Sequence, residues 1–367
     1  MTELPAKRQH FLALDLLRGI AALAVIFLHW LEGNGNPWFH NSHLAVDFFF
    51  ILSGFVMAYS YTDRLKAGLG LGRFLILRLI RLYPLIIIGI LLGFVRFALK
   101  TMATHDPSMP MSWLVVKMVQ NLFMIPNFQD GLSADMFILN LALWSLFFEF
   151  LAYILFGLFM YRSSLVVLLA IAIVGGIGVW GWMVQEFGPV KATLPWLEFE
   201  KLGYVSGFSR VMLSFTMGLL TFEVFKRMPR TLKVNGWIYA AVLFVFLSLP
   251  VGALPVNLVF LILVLGFPAL IVLAAMAYIP DRGQKLATLF GDLSYPLYVV
   301  HTPILWTLSG LFKILHLNVP FSEIGYGVVI LPCAILASYL AFKFYDEPVR
   351  AYLTKLYKQA NPQVAKT

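Results

Sequence analysis

Three ionisable side chains occur in one apolar stretch near the start of the chain, LDLLRGIAALAVIFLHW at positions 14–30. Arg18 and His29 are eleven residues apart, which is three helical turns and about 20° more, so a helix carries both on one face. The helical rise separates them by roughly 16 Å, and Asp15 precedes Arg18 at ion-pair spacing. Because imidazole exchanges protons near neutral pH, this alignment indicates proton transfer at His29 rather than a lone core histidine.

Two arginines share a helical face in RFLILRLIRLYP, residues 73–84. Arg78 and Arg81 are three residues apart within an apolar stretch, and guanidinium groups bind phosphate oxygens in a bidentate manner. The pair therefore predicts a site for a multiply charged phosphate ligand. Arg73 lies about a turn and a half earlier, where a topological signal alone would explain it, and we interpret it as an outer contact.

A buried acid is predicted in LWSLFFEFLAY, residues 143–153, where Glu149 falls among phenylalanines. An ionised carboxylate in such a span needs a partner on another helix, and His29 or an arginine is the expected partner. Asp47 in AVDFFFILSGF, residues 45–55, is a second acid near a span. The small residues Ser53 and Gly54 that follow it favour close helix packing.

Two tyrosines and a histidine are spaced three apart in DLSYPLYVVHTP, residues 292–303. Tyr295, Tyr298 and His301 would lie close to one helical face, although an aromatic belt at the membrane interface would also explain the tyrosines. Pro296 and Pro303 predict a helix broken into short pieces, which is typical of segments that line a cavity.

The elements that position these side chains are membrane helices. The chain of 367 residues is 60% hydrophobic and 12% charged, with a mean hydropathy of +0.85, and its long apolar runs show no strict alternation. This composition excludes a soluble domain and predicts an all-α, polytopic transmembrane bundle. A single cysteine, Cys333, argues against a disulfide framework and a thiolate metal site, so we expect no metal.

We predict about ten spans in one integral-membrane domain over residues 1–367, with a core of about 10–352 and a basic tail at 353–367. A shorter apolar run, 111–128, is interpreted as an interfacial or re-entrant helix on the outer side. The predicted spans are 12–31, 44–61, 75–98, 136–160, 164–183, 207–225, 236–252, 256–279, 290–312 and 323–345.

The basic residues predict the orientation. With the N-terminus inside, 20 of the 27 lysines and arginines fall on the cytoplasmic side, and Arg210 is among the seven on the outer side. Both termini are therefore expected in the cytoplasm, in a multi-pass protein of the plasma membrane, as in the inner membrane of a bacterium. This topology accounts for the net charge of +9, so we expect membrane lipids and no nucleic acid as partners.

Taken together, these blocks resemble the integral-membrane acyltransferase 3 family. The resemblance runs from about residue 10 to 352, and the order and spacing of the blocks make it specific. They are LDLLRGIAALAVIFLH with its Arg and His, AVDFFFILSGF, RLIR at 78–81, WSLFFE at 144–149, SYPLYVVHTP at 294–303 and DEPVR at 346–350.

The resemblance implies ten spans and transfer of an acyl group, usually acetyl from acetyl-CoA, to a hydroxyl of a carbohydrate, glycolipid or other envelope or secreted molecule. It implies that His29 is catalytic and that Arg18, Arg78, Arg81 and Glu149 are functional. On this basis His29 would be the general base, Glu149 could orient its imidazole and Asp15 could set Arg18. The residues expected to contact the substrate are Tyr295, Tyr298, His301, Trp144, Asp47 and Ser53.

Two other classes of protein use the same residue types. A proton-coupled transporter would also carry intramembrane His, Glu and Arg, although the chain shows none of the inverted repeats expected of many transporters. A protein that binds a lipid or polyprenol phosphate without chemistry would use the same arginines.

Overall fold

The computed structural model describes residues 10–32, 36–104, 109–127, 135–187, 203–228, 233–250, 252–314 and 324–361. Helices form the regular structure of these residues, and the one β-type pairing among them is an isolated bridge between Asn235 and Tyr278. The α-helices are, in chain order, α1 Leu12–Glu32, α2 Ala45–Lys66, α3 Leu71–Thr104, α4 Met111–Leu122, α5 Leu143–Leu158, α6 Leu165–Phe187, α7 Gly203–Phe225, α8 Gly236–Ser248, α9 Val256–Leu261, α10 Phe267–Met276, α11 Asp281–Ile314, α12 Ile324–Ala341 and α13 Glu347–Ala360.

The outer faces of the helices are apolar. On α6, Val166, Val174 and Ile177 are 75%, 71% and 68% exposed. Contiguous exposed apolar surface of this kind is suited to lipid rather than water. Within the described residues, seven helical segments are long and apolar enough to cross a membrane. The prediction of an all-helical, multi-pass membrane protein is confirmed.

All ten predicted spans fall on helices of the structure. Two of them coincide with shorter apolar helices, α5 and α8, and the span at 256–279 is made of α9 and α10 joined by the π-helical turn Ile262–Gly266. The number of spans and the cytoplasmic termini remain predictions. The predicted basic tail begins inside α13, and Asp346, which directly precedes that helix, pairs with Arg350 at 2.8 Å. Several basic residues used for the orientation lie outside the described residues, namely Lys7, Arg8, Lys191, Lys201, Arg230 and Lys366.

The prediction that Pro296 and Pro303 break their helix is wrong, because α11 runs unbroken from Asp281 to Ile314. A proline has no N–H to donate, so Pro303 leaves the carbonyl of Val299, four residues earlier, without its helical partner. The side chain of Asn140 donates to that carbonyl at 2.9 Å. The helix therefore continues because a neighbouring segment supplies the missing donor.

Small residues set the distances between the helices that carry charges. A Cβ built on Gly54 of α2 would lie 3.1 Å from the Cα of Gly218 on α7 and 3.0 Å from the carbonyl carbon of Phe215. The predicted role of Gly54 in close packing is confirmed, since α2 and α7 could not approach so closely with a side chain there. Helix α1 packs along α11 in the same way, with Gly291 against the side chain of Asp15.

The segment predicted as an interfacial or re-entrant helix at 111–128 is α4, which ends at Leu122 and packs against α3. Its buried polar side chains include Lys117, which donates to Asn127 at 3.2 Å and lies 5.4 Å from the ring of Trp113. The helix is confirmed, and its location on the outer side of the membrane stays a prediction.

Candidate active site

A cavity of about 180 Å³ lies among α1, α2, α3, α5 and α11. We call it the arginine cavity, because three arginines from two helices line it together with one acid. Its polar lining is Arg18, Ser53, Arg78, Arg81, Ser145, Glu149, Tyr153, Ser294, Tyr295 and Tyr298. The sequence prediction that Arg78 and Arg81 share a face is confirmed, and Arg18 joins them from another helix.

Arg18 is held on three sides. Its Nη2 donates to Asp15 Oδ1 at 2.8 Å and to the carbonyl of Gly291 at 3.0 Å, and its Nε donates to Ser294 Oγ at 2.8 Å. The predicted pair of Asp15 and Arg18 is therefore present, and His10 lies 2.6 Å from the second oxygen of Asp15. These bonds hold the guanidinium of Arg18 at the rim of the arginine cavity. Its partners on α11, Gly291 and Ser294, lie within one turn of that helix.

Arg78 is fixed by aromatic residues rather than by an acid. Its Nη2 donates to the hydroxyl of Tyr61 at 2.5 Å, and the guanidinium lies 4.6 Å from the centre of the Tyr61 ring. A guanidinium that is held by an aromatic ring and one hydroxyl keeps other N–H groups for a ligand. Arg73 is exposed near the start of α3 and does not line the cavity, so its role as an outer contact stays a prediction.

Glu149 faces the arginines and not His29. Its Oε1 accepts a hydrogen bond from the hydroxyl of Tyr153 at 2.5 Å, and Ser53 Oγ lies 2.9 Å from the same hydroxyl. Because the Tyr153 proton goes to the carboxylate, Ser53 is the donor to Tyr153. The expected bond between Glu149 and the His29 imidazole is not formed, because α5 carries Glu149 at the level of Arg18, whereas His29 lies three turns further along α1. Ser53, which was expected to contact the substrate, also lines the arginine cavity.

A second cavity, of about 310 Å³, contains His29. We call it the imidazole cavity, because three other histidines line it as well. It is formed by α1, the 3-10 turn His40–Leu44, α2, α5, α6, α7 and α11. Its polar and aromatic lining is His29, His40, Ser42, His43, Trp144, Trp182, Arg210, Tyr298, His301 and Thr302.

His29 and His301 stack on each other, with ring centroids 5.3 Å apart and an angle of 19° between the planes. His301 is 1% exposed, and its Nδ1 lies 2.8 Å from the carbonyl of Tyr298 and 3.0 Å from that of Leu297. Carbonyl oxygens only accept, so Nδ1 carries a proton, and Nε2 forms a hydrogen bond with the hydroxyl of Thr302 at 3.1 Å. These bonds fix the orientation of the His301 ring beside His29.

Sequence reasoning missed Arg210 as a site residue and counted it only as an outer basic residue. It lines the imidazole cavity, and its Nη2 lies 2.6 Å from Asp47 Oδ2 in a pair whose side chains are 9% and 0% exposed. Asp47 was expected to contact the substrate, yet it lines neither cavity and instead binds Arg210 and Ser214. The sequence did contain a signal for this pair. Asp47 and Arg210 are isolated charges of opposite sign in separate spans, and a buried acid requires a cation.

Only two residues of the described lining, Val46 and Tyr298, face both cavities, and we call them the partition. The hydroxyl of Tyr298 lies 2.5 Å from Ser145 Oγ, which donates to the carbonyl of Ala142 at 3.0 Å, so Tyr298 donates to Ser145. The edge of the Tyr298 ring packs against Phe49, with centroids 5.5 Å apart. The two cavities are therefore separated by the thickness of one ordered side chain.

The three residues expected on one face of α11 divide between the cavities. Tyr295 lines the arginine cavity and donates to the carbonyl of Leu82 at 2.7 Å, Tyr298 forms the partition, and His301 lines the imidazole cavity. A rise of about 1.5 Å per residue explains this, because six residues span roughly 9 Å along the helix. Trp144, also expected near the substrate, lines the imidazole cavity.

These features define a class: a multi-pass membrane protein whose polar site is buried within a helical bundle. The family model described as an acyltransferase domain matches residues 11–343, so the chain belongs to the acyltransferase 3 family. It is a membrane acyltransferase, and the resemblance predicted from the motifs is confirmed.

One curated relative also matches. The chain is similar to "Protein 2 in picA locus" from Rhizobium radiobacter, with 35% identity over 158 residues that cover 41% of this chain and 81% of that protein. No solved structure matches the chain. In the described part of the chain, no group of three or more His, Cys, Asp and Glu side chains is placed to hold a metal ion.

Proposed function

We propose that this protein moves an acyl group, acetyl in the simplest case, from acyl-CoA to a hydroxyl of a carbohydrate, a glycolipid or another envelope or secreted molecule. The observation that carries the proposal is the placing of a cationic cavity and an imidazole cavity along the same two helices, α1 and α11, with a partition one side chain thick. We place the enzyme in the bacterial inner membrane, with the arginine cavity toward the cytoplasm.

The arginine cavity suits the donor because CoA carries several phosphate charges. Three guanidinium groups, those of Arg18, Arg78 and Arg81, are present. The acidic side chains beside them are two, Asp15 and Glu149. The volume of about 180 Å³ is below the roughly 300–1,000 Å³ of a typical small-molecule site, so it suits the thin pantetheine arm. In this arrangement the phosphates stay at the rim, and Arg73 contacts the nucleotide end from outside.

The reaction needs the thioester to pass the partition and meet the acceptor next to His29. The acceptor oxygen attacks the thioester carbonyl carbon while His29 takes the hydroxyl proton, which gives a tetrahedral oxyanion. Collapse of that oxyanion breaks the carbon–sulfur bond, forms the ester and releases CoA thiolate, which the proton on His29 neutralises. The stacked ring of His301 presents its face to the imidazolium formed during this step.

The purified protein tests the donor and the base separately. Release of free CoA thiol from acetyl-CoA should fall by about 10²–10⁴-fold in His29→Ala, the size of a general-base contribution, while CoA still raises the thermal unfolding temperature. Arg78→Ala should lose that CoA-dependent shift. Arg96→Lys is the control, since Arg96 lies between the rings of Phe97 and Trp306 and lines neither cavity.

Turnover that survives His29→Ala would exclude the catalytic role, and a protein that CoA does not stabilise would exclude the donor site. The acceptor is identified by mass spectrometry of envelope polysaccharides and glycolipids from cells with and without the protein. A difference of one acetyl group, or of a longer acyl group, names the acceptor class and the acyl length together.

Two cavities divided by a thin partition also describe an occluded transporter. That alternative predicts uptake of a solute or of protons by liposomes that contain the protein, without release of CoA thiol. Uptake that does not depend on acyl-CoA, together with no thioester turnover, would favour it over the transferase.

A further inference from the structure

We propose that Arg210 is a catalytic residue of this transfer, with its Nη1 donating to the oxyanion that forms on the thioester carbonyl. The proposal rests on the function proposed above. In this arrangement Asp47 is a positioning residue, because it holds the guanidinium and does not line the cavity itself.

The first argument is the direction of the guanidinium. The carboxylate of Asp47 binds the edge of the guanidinium formed by Nε and Nη2. Nε lies 3.3 Å and 3.2 Å from the two carboxylate oxygens, and Nη2 lies 2.6 Å from Oδ2. Nη2 also donates to the carbonyl of His43 at 2.9 Å. Nη1 donates to no residue of the described ranges, and it is not among the buried polar atoms that lack a partner. Because Arg210 lines the imidazole cavity, the proposal directs these two N–H groups into it.

The second argument is that the guanidinium cannot turn away. It lies 5.1 Å from the ring centre of Trp144 and 4.7 Å from that of Trp182, and the residue is 7% exposed. Together with the two-point bond to Asp47, this fixes the plane of the group before any ligand arrives. A fixed donor in a site sheltered from water is the arrangement that stabilises an oxyanion best.

The third argument is location. Trp144, which packs on the guanidinium, is the neighbour of Ser145, which binds the hydroxyl of Tyr298 in the partition. Arg210 therefore lies on the side of the imidazole cavity where the thioester has to arrive. His29 lines the same cavity of about 310 Å³, so one reacting group can meet the base and the donor together.

The fourth argument is that three neighbouring hydroxyl groups already have partners. The hydroxyl of Tyr298 donates to Ser145 and that of Ser42 donates to the carbonyl of Leu247 at 3.0 Å, while the hydroxyl of Thr302 is bonded to Nε2 of His301. The pair of Arg210 with Asp47 is neutral overall, so it does not trap a resting anion strongly. It still directs N–H dipoles at a negative charge that develops during the reaction.

The kinetic test compares Arg210→Lys with Arg96→Lys, which makes the same change in an arginine that is also packed between aromatic rings. Lysine can neutralise Asp47 but cannot also present a second nitrogen to the cavity. With acetyl-CoA as the donor and methyl glucoside or water as the acceptor, we expect kcat to fall by about 10²–10³-fold in Arg210→Lys, with KM for acetyl-CoA unchanged. Arg96→Lys should keep the wild-type kcat.

A measurement without turnover separates a catalytic role from a structural one. Isotope-labelled acetyl-CoA is bound to His29→Ala and to His29→Ala/Arg210→Lys, and the infrared band of its thioester carbonyl is recorded. Donation by Arg210 should shift the band to lower frequency in the single variant, and the shift should be lost in the double variant. Asp47→Asn should lower kcat less than Arg210→Lys does.

The outcomes are distinguishable. An active wild type with a kcat within threefold in Arg210→Lys, or with the change confined to KM, overturns the role of Arg210. An identical carbonyl band in the two His29→Ala backgrounds overturns it as well. A wild type that releases no CoA thiol above the rate in buffer counts against the proposed function itself.

Discussion

The ring of His301 lies flat against the ring of His29, at 5.3 Å between centroids, although the two residues come from α11 and α1. The Nδ1 of His301 donates to backbone carbonyls of its own helix. The ring therefore has a fixed orientation, and the ring of His29 packs against it. A base that has one resting orientation loses less freedom when it reaches the reactive geometry.

We expect His301→Phe to keep most of the activity, because phenylalanine retains a flat ring against His29. His301→Ala should lower kcat about tenfold or more, because the ring of His29 then loses the aromatic ring that orients it. The measurement is CoA thiol release at saturating acetyl-CoA, with thermal unfolding as the control for folding. Equal losses in the two variants would show that a nitrogen of His301, and not its ring, is needed.

The bond between Arg78 and Tyr61 predicts a change in donor affinity. Tyr61→Phe removes the hydroxyl that accepts from Arg78 but keeps the ring below the guanidinium. A lost hydrogen bond of about 0.5–1.5 kcal/mol corresponds to a rise in KM for acetyl-CoA of roughly 2- to 12-fold, with kcat nearly unchanged. Tyr161→Phe is the control, because Tyr161 lies under Arg162 at 5.9 Å and lines neither cavity. A change in kcat alone would contradict this reading of Arg78.

Asn140 predicts a stability effect that a second mutation reverses. Asn140→Ala leaves the buried carbonyl of Val299 without a donor and removes the bond that the backbone N–H of Ala142 donates to Asn140 Oδ1. The free energy of unfolding should fall by about 1–3 kcal/mol. Adding Pro303→Ala restores an N–H within α11, so the double variant should recover the part that belongs to Val299.

Thermal unfolding in detergent of the wild type, both single variants and the double variant gives the coupling energy. Strictly additive effects would show that Asn140 does not compensate for Pro303.

The crossing of α2 and α7 predicts that Gly54 tolerates no side chain. Gly54→Ala places a methyl group against the backbone of α7, so the two helices must separate, and the pair of Asp47 and Arg210 separates with them. We expect a loss of about 1–3 kcal/mol in stability, the usual range for overpacking, and a fall in activity. Gly72→Ala is the matched control, because a Cβ there meets no atom within 4 Å. Similar stability of the two variants would exclude a tight crossing.

The most accurate predictions from the sequence concern residues that share one face of a single helix. The stripe of Asp15, Arg18 and His29 and the pair of Arg78 and Arg81 follow from helical periodicity alone, and the structure keeps both. What the sequence could not supply were contacts across helices. Asp47 and Arg210 are 163 residues apart, so no local pattern joins them. The unbroken course of α11 likewise depends on Asn140, which lies outside that helix.

The expected partnership of Glu149 with His29 failed for a related reason. A buried acid must find a partner, but its level in the membrane decides which one, and periodicity within α5 says nothing about the level of α1. The Tyr153 hydroxyl, four residues later on the same helix, was the nearer partner.

The partition has an electrical consequence. If the imidazole cavity opens to the side of the membrane opposite the arginine cavity, most of the transmembrane voltage falls across the short dry layer formed by Val46 and Tyr298. A unit charge that crossed this layer would gain or lose about 2.3 kcal/mol per 100 mV. An acetyl group that passes Tyr298 as part of a thioester is neutral, and the membrane voltage does no work on it.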